Sequence, residues 1–421
     1  MNYQEALRYI DGVQWLGSRP GLERITELLR RLGDPQRRLR FIHIAGTNGK
    51  GSCAAMTASV LKAAGYRTGL FTSPYLFRFN ERMQIGGEPI PDETLARLVT
   101  ELQPQADAME DHPTEFELMT AAALLWYERE RCDFVVLEVG LGGRLDATNV
   151  IENPEVCAIM NIGLDHTQIL GDTVEQIAAE KAGIIKPGAE VVLYGQQESV
   201  VEVVRSVCEE KGAPLTVADF SKIKPEFESL EGQVFTYRGE PYAIGLLGAH
   251  QRKNAAVVVE IAGALRRRGF VIEQDALEHG LYAAEWPARF ELVGEEPPFV
   301  VDGGHNPQCA QTVADNLETY FPAMRRVLLI GVLADKDYET MLDILAPEAA
   351  AFVCVTPDSP RALPAEGLAA ALARFGKPTQ VCEDIPSGVA AAQELAGTDG
   401  MVCAVGSLYM AGAIRACFGL K

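Results

Sequence analysis

The chain has 421 residues, too many for one typical hydrophobic core, so two domains are expected. Hydrophobic residues make up 48% and charged residues 23% of the chain, as in a soluble globular protein. The formal net charge of −20, with no offsetting basic run, argues against a nucleic-acid partner, and any anionic substrate therefore needs locally concentrated positive groups or metal ions.

Cysteine usage and the lack of targeting features predict a cytoplasmic protein without a membrane partner. The nine cysteines are scattered without paired spacing, and several, including Cys157, Cys354 and Cys403, lie in apolar strand-like runs. This pattern indicates reduced core thiols rather than a disulfide framework or a zinc site. No signal peptide is apparent at the N-terminus, and no apolar run reaches the roughly 18 residues that a membrane span needs.

The first elements in chain order lead to a glycine-rich turn. Two short amphipathic helices are predicted over residues 3 to 32, with a break at Ser18–Gly21. The apolar run Phe41–Ala45 predicts a buried strand and Gly46–Ser52 (GTNGKGS) a glycine-rich turn. The pattern then becomes helical from about Ser52 to Ala64.

This layout is typical of a phosphate-binding loop. Backbone N–H groups of the turn and the N-terminus of the helix would face an anion, and Lys50 would add a point charge. The loop is shorter than the general pattern, because Ile44 stands where an earlier glycine would be expected. A strand-to-helix turn without a ligand is the alternative, but the combination of strand, GTNGKGS and helix favours a phosphate site.

The next strands bring polar residues to one edge of a predicted sheet. Strands are predicted at Thr68–Pro74, Phe134–Val139 and Val156–Ile162, and helices at Pro91–Ala106 and Phe116–Arg131. Because buried strands and helices alternate, we expect a doubly wound parallel sheet that binds its ligands at the carboxyl edge. The side chains expected at that edge are Lys50, Ser73, Glu138 and His166.

Later elements predict a second, smaller domain. They are, in order, a helix from Thr173 to Gly183, a strand at 190–194, a helix at 198–211, a hairpin at 233–247 around Arg238-Gly239, a helix from His250 to about Arg268, and strands at 299–302, 326–331, 351–355, 379–382 and 401–405. Gly294–Pro298 is predicted to be a linker. We therefore expect an α/β protein with a P-loop-containing, doubly wound, mostly parallel sheet domain at residues 1–293 and a smaller Rossmann-like α/β domain at residues 294–421.

A metal site is predicted at the sheet edge. Glu138, at a strand end opposite a phosphate loop, is suited to hold Mg²⁺ directly or through water, and Ser73 could supply another oxygen. The alternative for Glu138 is a surface-edge carboxylate, but the glycines of Val139–Gly143 would let a ligand approach closely. His166 follows Asp165 at a strand end on the same edge and is assigned a metal or phosphate role.

Four further residues allow two interpretations each. Lys181 lies in a last helical turn, where a cation complements the helix macrodipole, and its spacing alone favours that structural role. Asp302 could bind a ribose hydroxyl and His305 a phosphate, or Asp302–Pro307 could be a tight turn with an Asn-Pro helix start. Arg289 could reach a phosphate or could be a salt-bridged hinge residue.

Several motifs together resemble the folylpolyglutamate synthase/dihydrofolate synthase family, a branch of the muramyl-peptide ligase superfamily. They occur in family order over nearly the whole chain, starting at Gly21–Arg24, and the run LEVGLGGRLDATN is the most specific. The motifs are Gly46–Ser52, Thr72–Pro74, Leu137–Asn149, Leu164–His166, Glu180–Ile185, His250–Asn254 and Asp302–Pro307. The departures are small: Ala288 and Gly304 stand where the family often has Gly and Ala, and these methyl changes are expected to touch no functional atom.

The resemblance implies a role for each matching residue. The implied ATP-binding residues are Thr47, Asn48, Gly49, Lys50, Gly51, Ser52, Asn254, Arg289 and Asp302. Two Mg²⁺ ions would be held by Ser73, Glu138 and His166, and Lys181 would be carbamylated, which replaces the macrodipole interpretation. A pteridine-carrying substrate would contact Thr114, Glu115, Phe116, Glu117, Leu145, Asp146 and Ala147. The catalytic residues would be Lys50, Glu138, His166, Lys181 and His305, the last of them near the transferring phosphate.

The activity that the resemblance implies is ATP-dependent amide formation. ATP would phosphorylate a carboxylate of a folate-type substrate, and the amine of L-glutamate would then attack the acyl phosphate. Lys50, Mg²⁺ and the loop N–H groups would offset the charge on the transferring phosphoryl group. The acceptor could be dihydropteroate, a tetrahydrofolate or both, and the sequence does not decide between them. We expect a monomer.

Other functions fit part of the pattern. A P-loop phosphotransferase or ATPase would use the same N-terminal half but leaves Asp302–Pro307 unexplained. A nucleotide-binding regulatory protein would not need Glu138 and Lys181. Another amino-acid ligase of the muramyl-peptide superfamily is a closer alternative, although the wall enzymes carry Thr directly after the loop lysine, where this chain has Gly51.

Overall fold

The computed structural model describes residues 1–13, 17 and 19–420, so Ser18, the first residue of the predicted break at Ser18–Gly21, lies outside the described residues. The chain divides into two units. The first unit comprises Met1–Lys224, Phe235–Ala243 and Lys253–Ala284, and the second comprises Pro225–Val234, Ile244–Arg252 and Glu285–Lys421. The sequence predicted one boundary at 293/294, whereas this division falls after Ala284 and assigns two segments of residues 225–252 to the second unit.

An eight-stranded sheet forms the centre of the first unit. Its strands are β1 (Phe41–Ala45), β2 (Thr68–Phe71), β3 (Met83–Ile85), β4 (Glu88–Pro89), β5 (Phe134–Glu138), β6 (Val156–Ile159), β7 (Glu190–Leu193) and β8 (Leu215–Val217), in the order β4–β3–β2–β5–β1–β6–β7–β8. Six neighbouring strands of this order, β2, β5, β1, β6, β7 and β8, are parallel. The remaining strand pairs, β2 with β3 and β3 with β4, are antiparallel. The predicted parallel sheet is confirmed.

Ten α-helices occur in the described chain up to residue 284. They are α1 (Tyr3–Asp11), α2 (Glu23–Arg31), α3 (Lys50–Ala63), α4 (Asp92–Asp107), α5 (Glu115–Arg129), α6 (Thr167–Leu170), α7 (Val174–Ala182), α8 (Glu198–Lys211), α9 (Ala249–Arg267) and α10 (Gln274–Tyr282). Apolar residues of α1, α2, α4 and α5 pack with Phe41, Val135 and Leu137 of the sheet, and residues of α7 and α8 pack with Ala45 and Cys157. His43 lies between Phe41 and Ala45 on the same face of β1 and is a polar residue with 0% exposure.

A small sheet and its hairpin follow in the chain. Its strands are β9 (Ile223–Ser229), β10 (Gly232–Tyr237) and β11 (Glu240–Ile244), in the order β11–β10–β9. Arg238 and Gly239 between β10 and β11 have φ of 53° and 94°, the left-handed geometry of a tight hairpin turn. The predicted hairpin is confirmed, whereas β9 was not predicted.

A six-stranded sheet forms the centre of the second unit. Its strands are β12 (Glu291–Glu295), β13 (Pro298–Val301), β14 (Arg325–Ile330), β15 (Ala351–Cys354), β16 (Thr379–Val381) and β17 (Gly400–Val405), in the order β12–β13–β17–β14–β15–β16. The helices are α11 (Pro307–Tyr320), α12 (Tyr338–Leu345), α13 (Ala365–Leu372), α14 (Ile385–Ala396) and α15 (Leu408–Cys417). All pairs are parallel except β12 with β13.

The predicted linker Gly294–Pro298 is wrong. This segment belongs to a hairpin in which Gly294 pairs with Phe299 and Glu295 with Pro298. Adjacent prolines are usually a sign of a break, but here Pro297 lies in the turn of the hairpin and Pro298 is the first residue of β13. A strand tolerates proline at its first residue.

The cysteines are free thiols, as expected. Cys157, Cys354 and Cys403 are buried in strands, and burial raises the pKa of the Cys157 and Cys354 thiols to about 12. Within the described residues, no helix combines the length and apolar character that crossing a bilayer requires.

One helix contact in the first unit depends on a glycine. Gly280 of α10 lies against the backbone of α3, where an added Cβ would come within 2.7 Å of Val60 N. We expect Gly280→Ala to destabilise the protein by about 2 kcal/mol, because the clash is with backbone and a helix must shift. Urea unfolding would measure this effect.

Gly263→Ala is the matched control, since Gly263 also lies within a helix but its nearest neighbour is a flexible Arg267 side-chain atom at 3.7 Å. This variant should gain about 0.5–1 kcal/mol from helix propensity. Equal effects of the two substitutions would contradict the close packing of α10 on α3.

Candidate active site

The carboxyl ends of four adjacent parallel strands, β2, β5, β1 and β6, form the candidate site in the first unit. Ser73 follows β2, and its N–H donates to Glu138 Oε2 at 3.2 Å. Glu138 ends β5, is 4% exposed, and pairs in register with Ile44 of β1. The sheet therefore brings Ser73 and Glu138 together beside the strand that leads into the phosphate loop.

The helix that follows the phosphate loop starts earlier than predicted. Gly49 has φ of 84° and precedes α3, which starts at Lys50 rather than at Ser52. The first intrahelical bond runs from Cys53 N–H to Gly49 O at 3.0 Å, so the N–H groups of Lys50, Gly51 and Ser52 lie ahead of it. Such N–H groups at a helix start are the usual donors to a bound phosphate.

Two other loop N–H groups are used within the protein. Thr47 N–H and Asn48 N–H both donate to Asn161 O, at 2.8 and 3.3 Å, and Thr47 Oγ1 donates to Gly163 O at 3.1 Å. The expectation that the whole loop faces an anion was therefore too broad. Asn161 follows β6 and so lies at a strand end, as Glu138 does, but no role was predicted for Asn161 from the sequence.

Asn254 lies beside the loop. An added Cβ at Gly49 would come within 2.8 Å of Asn254 Oδ1, so only glycine fits between them. This contact places one predicted nucleotide residue of α9 against the phosphate loop.

Lys181 is buried at the same loop. It is 3% exposed, and its Nζ donates to Gly46 O at 3.0 Å. Burial, with a smaller effect of the Lys50 charge, lowers the pKa of Lys181 to about 7. A surface cation that complements the macrodipole would not be buried, so the interpretation from spacing alone is wrong.

Hydrogen bonds and a close contact between α7 and the loop that follows β5 fix the position of Lys181. Arg144 N–H donates to Glu180 O at 2.9 Å, and Asn149 Nδ2 donates to Arg144 O at 2.9 Å and to Gly183 O at 3.1 Å. An added Cβ at Gly183 would overlap Arg144 Cβ. The family motifs Leu137–Asn149 and Glu180–Ile185 are therefore in backbone contact, which fixes the end of the helix that carries Lys181.

The predicted substrate segment Thr114–Glu117 caps α5. Thr114 N–H donates to Glu117 Oε2 at 2.7 Å, and Glu117 N–H donates to Thr114 Oγ1 at 3.3 Å. Arg24 Nε also donates to Glu117 Oε2, at 3.0 Å, whereas the buried Glu117 Oε1 has no hydrogen-bond partner in the protein. Burial raises the pKa of the neighbouring Glu115. Arg24 was not assigned a role from the sequence, although it lies in the first matching motif.

The second predicted substrate segment, Leu145–Ala147, lies near the first. Gly21 N–H, three residues before Arg24, donates to Leu145 O at 3.4 Å, and the Phe116 ring packs on Gly140 of the same loop. Asp146 is buried and accepts hydrogen bonds from Leu141 N–H at 2.9 Å and Thr148 N–H at 3.0 Å. These bonds hold the loop, and a substrate contact of Asp146 stays a prediction.

The predicted Mg²⁺ ligands suit a cation that keeps part of its water. No group of three His, Cys, Asp or Glu side chains able to hold a metal by themselves occurs within residues 1–13, 17 and 19–420. Ser73 and the buried Glu138 supply hard oxygen donors, and Mg²⁺ commonly takes only one or two carboxylates, with waters and phosphate oxygens completing the shell. His166 is 39% exposed at its side chain, and its Nε2 lies 3.9 Å from Asp165 Oδ1.

The second unit contains the other predicted nucleotide residues at the end of β13. The buried Asp302 carboxylate accepts hydrogen bonds from Phe290 N–H at 2.9 Å and Gly304 N–H at 2.7 Å. Burial raises the pKa of Asp302, and the charge of Arg289 opposes the rise. His305 Nδ1 lies 3.2 Å from Gly303 O, and because a carbonyl only accepts, Nδ1 carries the proton.

The two departures from the family pattern are not neutral, contrary to expectation. An added Cβ at Gly304 would come within 2.7 Å of both Asp302 Oδ1 and Cys309 Cβ, so alanine would press on a predicted ribose ligand. Ala288 has φ of 56°, a left-handed backbone that costs a residue with a Cβ about 1–2 kcal/mol. The sequence does not display either backbone conformation.

Two family models match the chain and define the class of protein. Residues 44–262 match the Mur ligase middle domain, and residues 288–408 match the Mur ligase, glutamate ligase domain. The fold and both matches are those of a Mur-type ligase.

Relatives of known function narrow the class. The chain is 39% identical over 425 residues to the dihydrofolate synthase/folylpolyglutamate synthase of Bacillus subtilis, covering 98% of each chain. It superimposes with a TM-score of 0.91 and 33% identity on folylpolyglutamate synthase of Mycobacterium tuberculosis complexed with ADP and AMPPCP, over 100% of both chains. The E. coli FolC complex with DHPP and ADP gives a TM-score of 0.89 at 28% identity, over 100% of this chain and 98% of that one. The chain belongs to the folylpolyglutamate synthase/dihydrofolate synthase family, and it is a ligase.

The depressed pKa of Lys181 predicts a specific pH dependence of stability. Between about pH 7 in the folded state and 10.5 in the unfolded state, the unfolded chain binds the extra proton. Stability should therefore rise with pH through this window, and this contribution should be lost as the pH falls to about 7. We expect Lys181→Met to flatten this part of the curve, measured by urea unfolding in CO₂-free buffer with a chelator.

Lys211→Met is the control, because Lys211 also lies in the last turn of a helix, α8, but is 38% exposed at its side chain. It should reproduce the wild-type pH dependence. An unchanged curve for Lys181→Met would show that the buried amine is not the titrating group.

Proposed function

We propose that this chain joins L-glutamate to a folate-type acceptor, dihydropteroate or a tetrahydrofolate or both, in a reaction driven by ATP. The observation that carries the proposal is the Ser73–Glu138 pair next to a phosphate loop whose Gly46 carbonyl holds the buried Lys181 amine. The name of the Bacillus subtilis relative supports the joining of glutamate to a folate-type acceptor. The ligands of the E. coli and Mycobacterium tuberculosis structures support the use of ATP.

The proposed reaction has two steps, phosphoryl transfer and then amide formation. The acceptor carboxylate attacks the γ-phosphorus of ATP, so that a C–O–P bond forms and ADP leaves. The amine of L-glutamate then attacks the acyl carbon, the C–N bond forms, phosphate leaves, and the amine loses a proton. Lys50 and the N–H groups at the start of α3 are the groups of this chain that offset charge on the phosphoryl oxygens.

Ser73, Glu138 and His166 would hold Mg²⁺ at this edge. When bound, Mg²⁺ neutralises phosphate charge and orients the transferring group. The buried Glu138 keeps its carboxylate in place through the N–H of Ser73, at 3.2 Å, which pre-positions an oxygen ligand before any cation binds.

We propose carbamylation of Lys181 as part of the same site. Only a neutral amine attacks CO₂, giving a carbamate and one released proton. With a pKa of about 7, close to half of the Lys181 amine is neutral near neutral pH, whereas an ordinary lysine would be almost wholly protonated. The product is an anion beside Lys50, which replaces a cation–cation repulsion with an attraction.

The remaining site residues are proposed in two groups. Nucleotide contacts are assigned to Asn254, Arg289, Asp302 and His305, in addition to the phosphate loop. Acceptor contacts are assigned to Thr114–Glu117 and Leu145–Ala147, where Glu117 Oε1 offers a buried acceptor that suits an N–H of a pteridine ring. A monomeric state and a cytoplasmic location belong to the same proposal.

The deciding experiment is ADP release by the purified protein with Mg-ATP and L-glutamate, with dihydropteroate in one reaction and tetrahydrofolate in another. Activity with both acceptors would identify a bifunctional synthase, and activity with one would assign that step. A folded protein that binds ATP but uses neither acceptor would refute the proposal.

We expect Glu138→Gln to lower kcat by about 100-fold or more in the same assay, because the substitution removes the carboxylate charge that is proposed to hold Mg²⁺ at the transferring phosphoryl group. Glu198→Gln is the control, since Glu198 is 74% exposed at its side chain, at the start of α8. Its kcat should stay at the wild-type value. Full activity of Glu138→Gln with unchanged Mg²⁺ dependence would contradict the assigned role.

The tight fit around Gly304 gives a further prediction. We expect Gly304→Ala to raise the KM for ATP about tenfold, because the added methyl group displaces Asp302 or the start of α11. Gly367→Ala in α13 of the same unit, where the nearest atom is Leu363 Cδ1 at 3.5 Å, should leave this KM unchanged. Steady-state kinetics with varied ATP measure both variants, and an equal KM for the two would argue against a nucleotide role of Asp302.

A further inference from the structure

A line of buried polar groups connects the central strand of the first unit to the loop after β5. His43 lies in the middle of β1, between Leu137 of β5 and Cys157 of β6 in register. Its Nε2 is 2.9 Å from Thr148 Oγ1, and Thr148 Oγ1 in turn donates to Asp146 Oδ1 at 2.5 Å. His43 and Thr148 are each 0% exposed.

The direction of this hydrogen-bond line follows from proton counting. Burial raises the pKa of Asp146, but its carboxylate also accepts from the N–H groups of Leu141 and Thr148, which can only donate and therefore favour its ionised form. The single hydroxyl proton of Thr148 is then committed to Asp146, so the Thr148 oxygen must accept from His43 Nε2–H. Burial lowers the pKa of His43 to about 3, which keeps the ring neutral, with an unprotonated Nδ1.

The burial of the His43 ring argues against a catalytic role and against a role in packing alone. His43 Nδ1 is buried and has no hydrogen-bond partner in the protein, so the ring makes its one described polar contact through Nε2. With no exposed atom, the ring cannot reach a substrate and is not a catalytic base. An apolar side chain would fill the space at lower cost if packing were the only requirement.

We infer that His43 is a positioning residue for the acceptor: its Nε2–H fixes the Thr148 hydroxyl, which holds the Asp146 carboxylate and with it the segment Leu145–Ala147. This inference rests on the proposed function, in which that segment contacts the pteridine-carrying acceptor. β1 continues directly from His43 into the phosphate loop at Gly46. One strand therefore sets both the loop that binds phosphate and the loop that binds the acceptor.

The test compares Thr148→Val, which keeps the shape of the side chain but removes the hydroxyl, with Thr148→Ser, which keeps the hydroxyl. We expect Thr148→Val to raise the KM for the acceptor about tenfold or more, since a buried charge-assisted hydrogen bond is lost. Thr148→Ser should stay within about threefold of wild type, and the KM for ATP should change less than about twofold in both variants. Equal acceptor KM values for the two variants would overturn the inference.

A second measurement does not depend on activity. Nitrogen-15 NMR of histidine-labelled protein, assigned by comparison with His43→Gln, should show His43 protonated at Nε2 and unprotonated at Nδ1 in the wild type and in Thr148→Ser. Protonation at Nδ1 in the wild type would overturn the inference. Where Thr148→Val fails to fold, His43→Gln, whose side-chain amide can donate at the same place, provides the kinetic test and should retain a lower acceptor KM than His43→Leu.

The two proposals fail in different ways. A wild-type protein that ligates glutamate to neither acceptor refutes the proposed function, and the tautomer measured on the same sample still decides whether the line from His43 through Thr148 to Asp146 exists. An active wild type with the other tautomer refutes the positioning role alone.

Discussion

The contact between the Lys181 amine and the Gly46 carbonyl is the constraint on which the first unit depends. An ammonium group that is almost fully buried next to a second lysine carries a high desolvation and repulsion cost. The protein keeps it there by an extended backbone contact between residues 143–149 and 180–183. The cost is reduced when the amine is neutral, so the burial that destabilises the protonated form favours the neutral amine that the proposed carbamylation needs.

β1 organises the rest of the site around this contact. Its end supplies the phosphate loop, its residue Ile44 lies in register with Glu138, and His43 supports the loop after β5. The four strand ends of the candidate site are neighbours in one parallel sheet, so their spacing follows from the fixed distance between adjacent strands. The positions of the candidate residues are therefore set by the strands, and buried hydrogen bonds such as that between His43 and Thr148 hold a loop to them.

The sequence predicted those parts of the structure that follow from local pattern and from the rule for parallel sheets. It identified the strands that carry Ser73, Glu138 and the phosphate loop, because their apolar runs and glycine turns are adjacent in the chain. It failed where distant segments meet, as in the burial of Lys181 and the use of the Thr47 and Asn48 N–H groups by Asn161, and where the local backbone conformation decides, as in the crowding at Gly304. The hairpin at Gly294–Pro298 was not predicted, because a hairpin turn that contains proline and a linker share one local signature. A backbone conformation or a contact across more than a hundred residues leaves no local pattern.

The net charge of −20 has a consequence for the kinetics of substrate capture. ATP, glutamate and folates are all anions, and the far field of the whole chain repels them, whereas Lys50 attracts them only at short range. Salt at about 0.15 M confines electrostatic fields to about 8 Å, which suppresses the long-range repulsion more than the contacts within the site. Encounter with substrate in this protein is therefore helped by ionic strength, the reverse of an enzyme that steers its substrates from a distance.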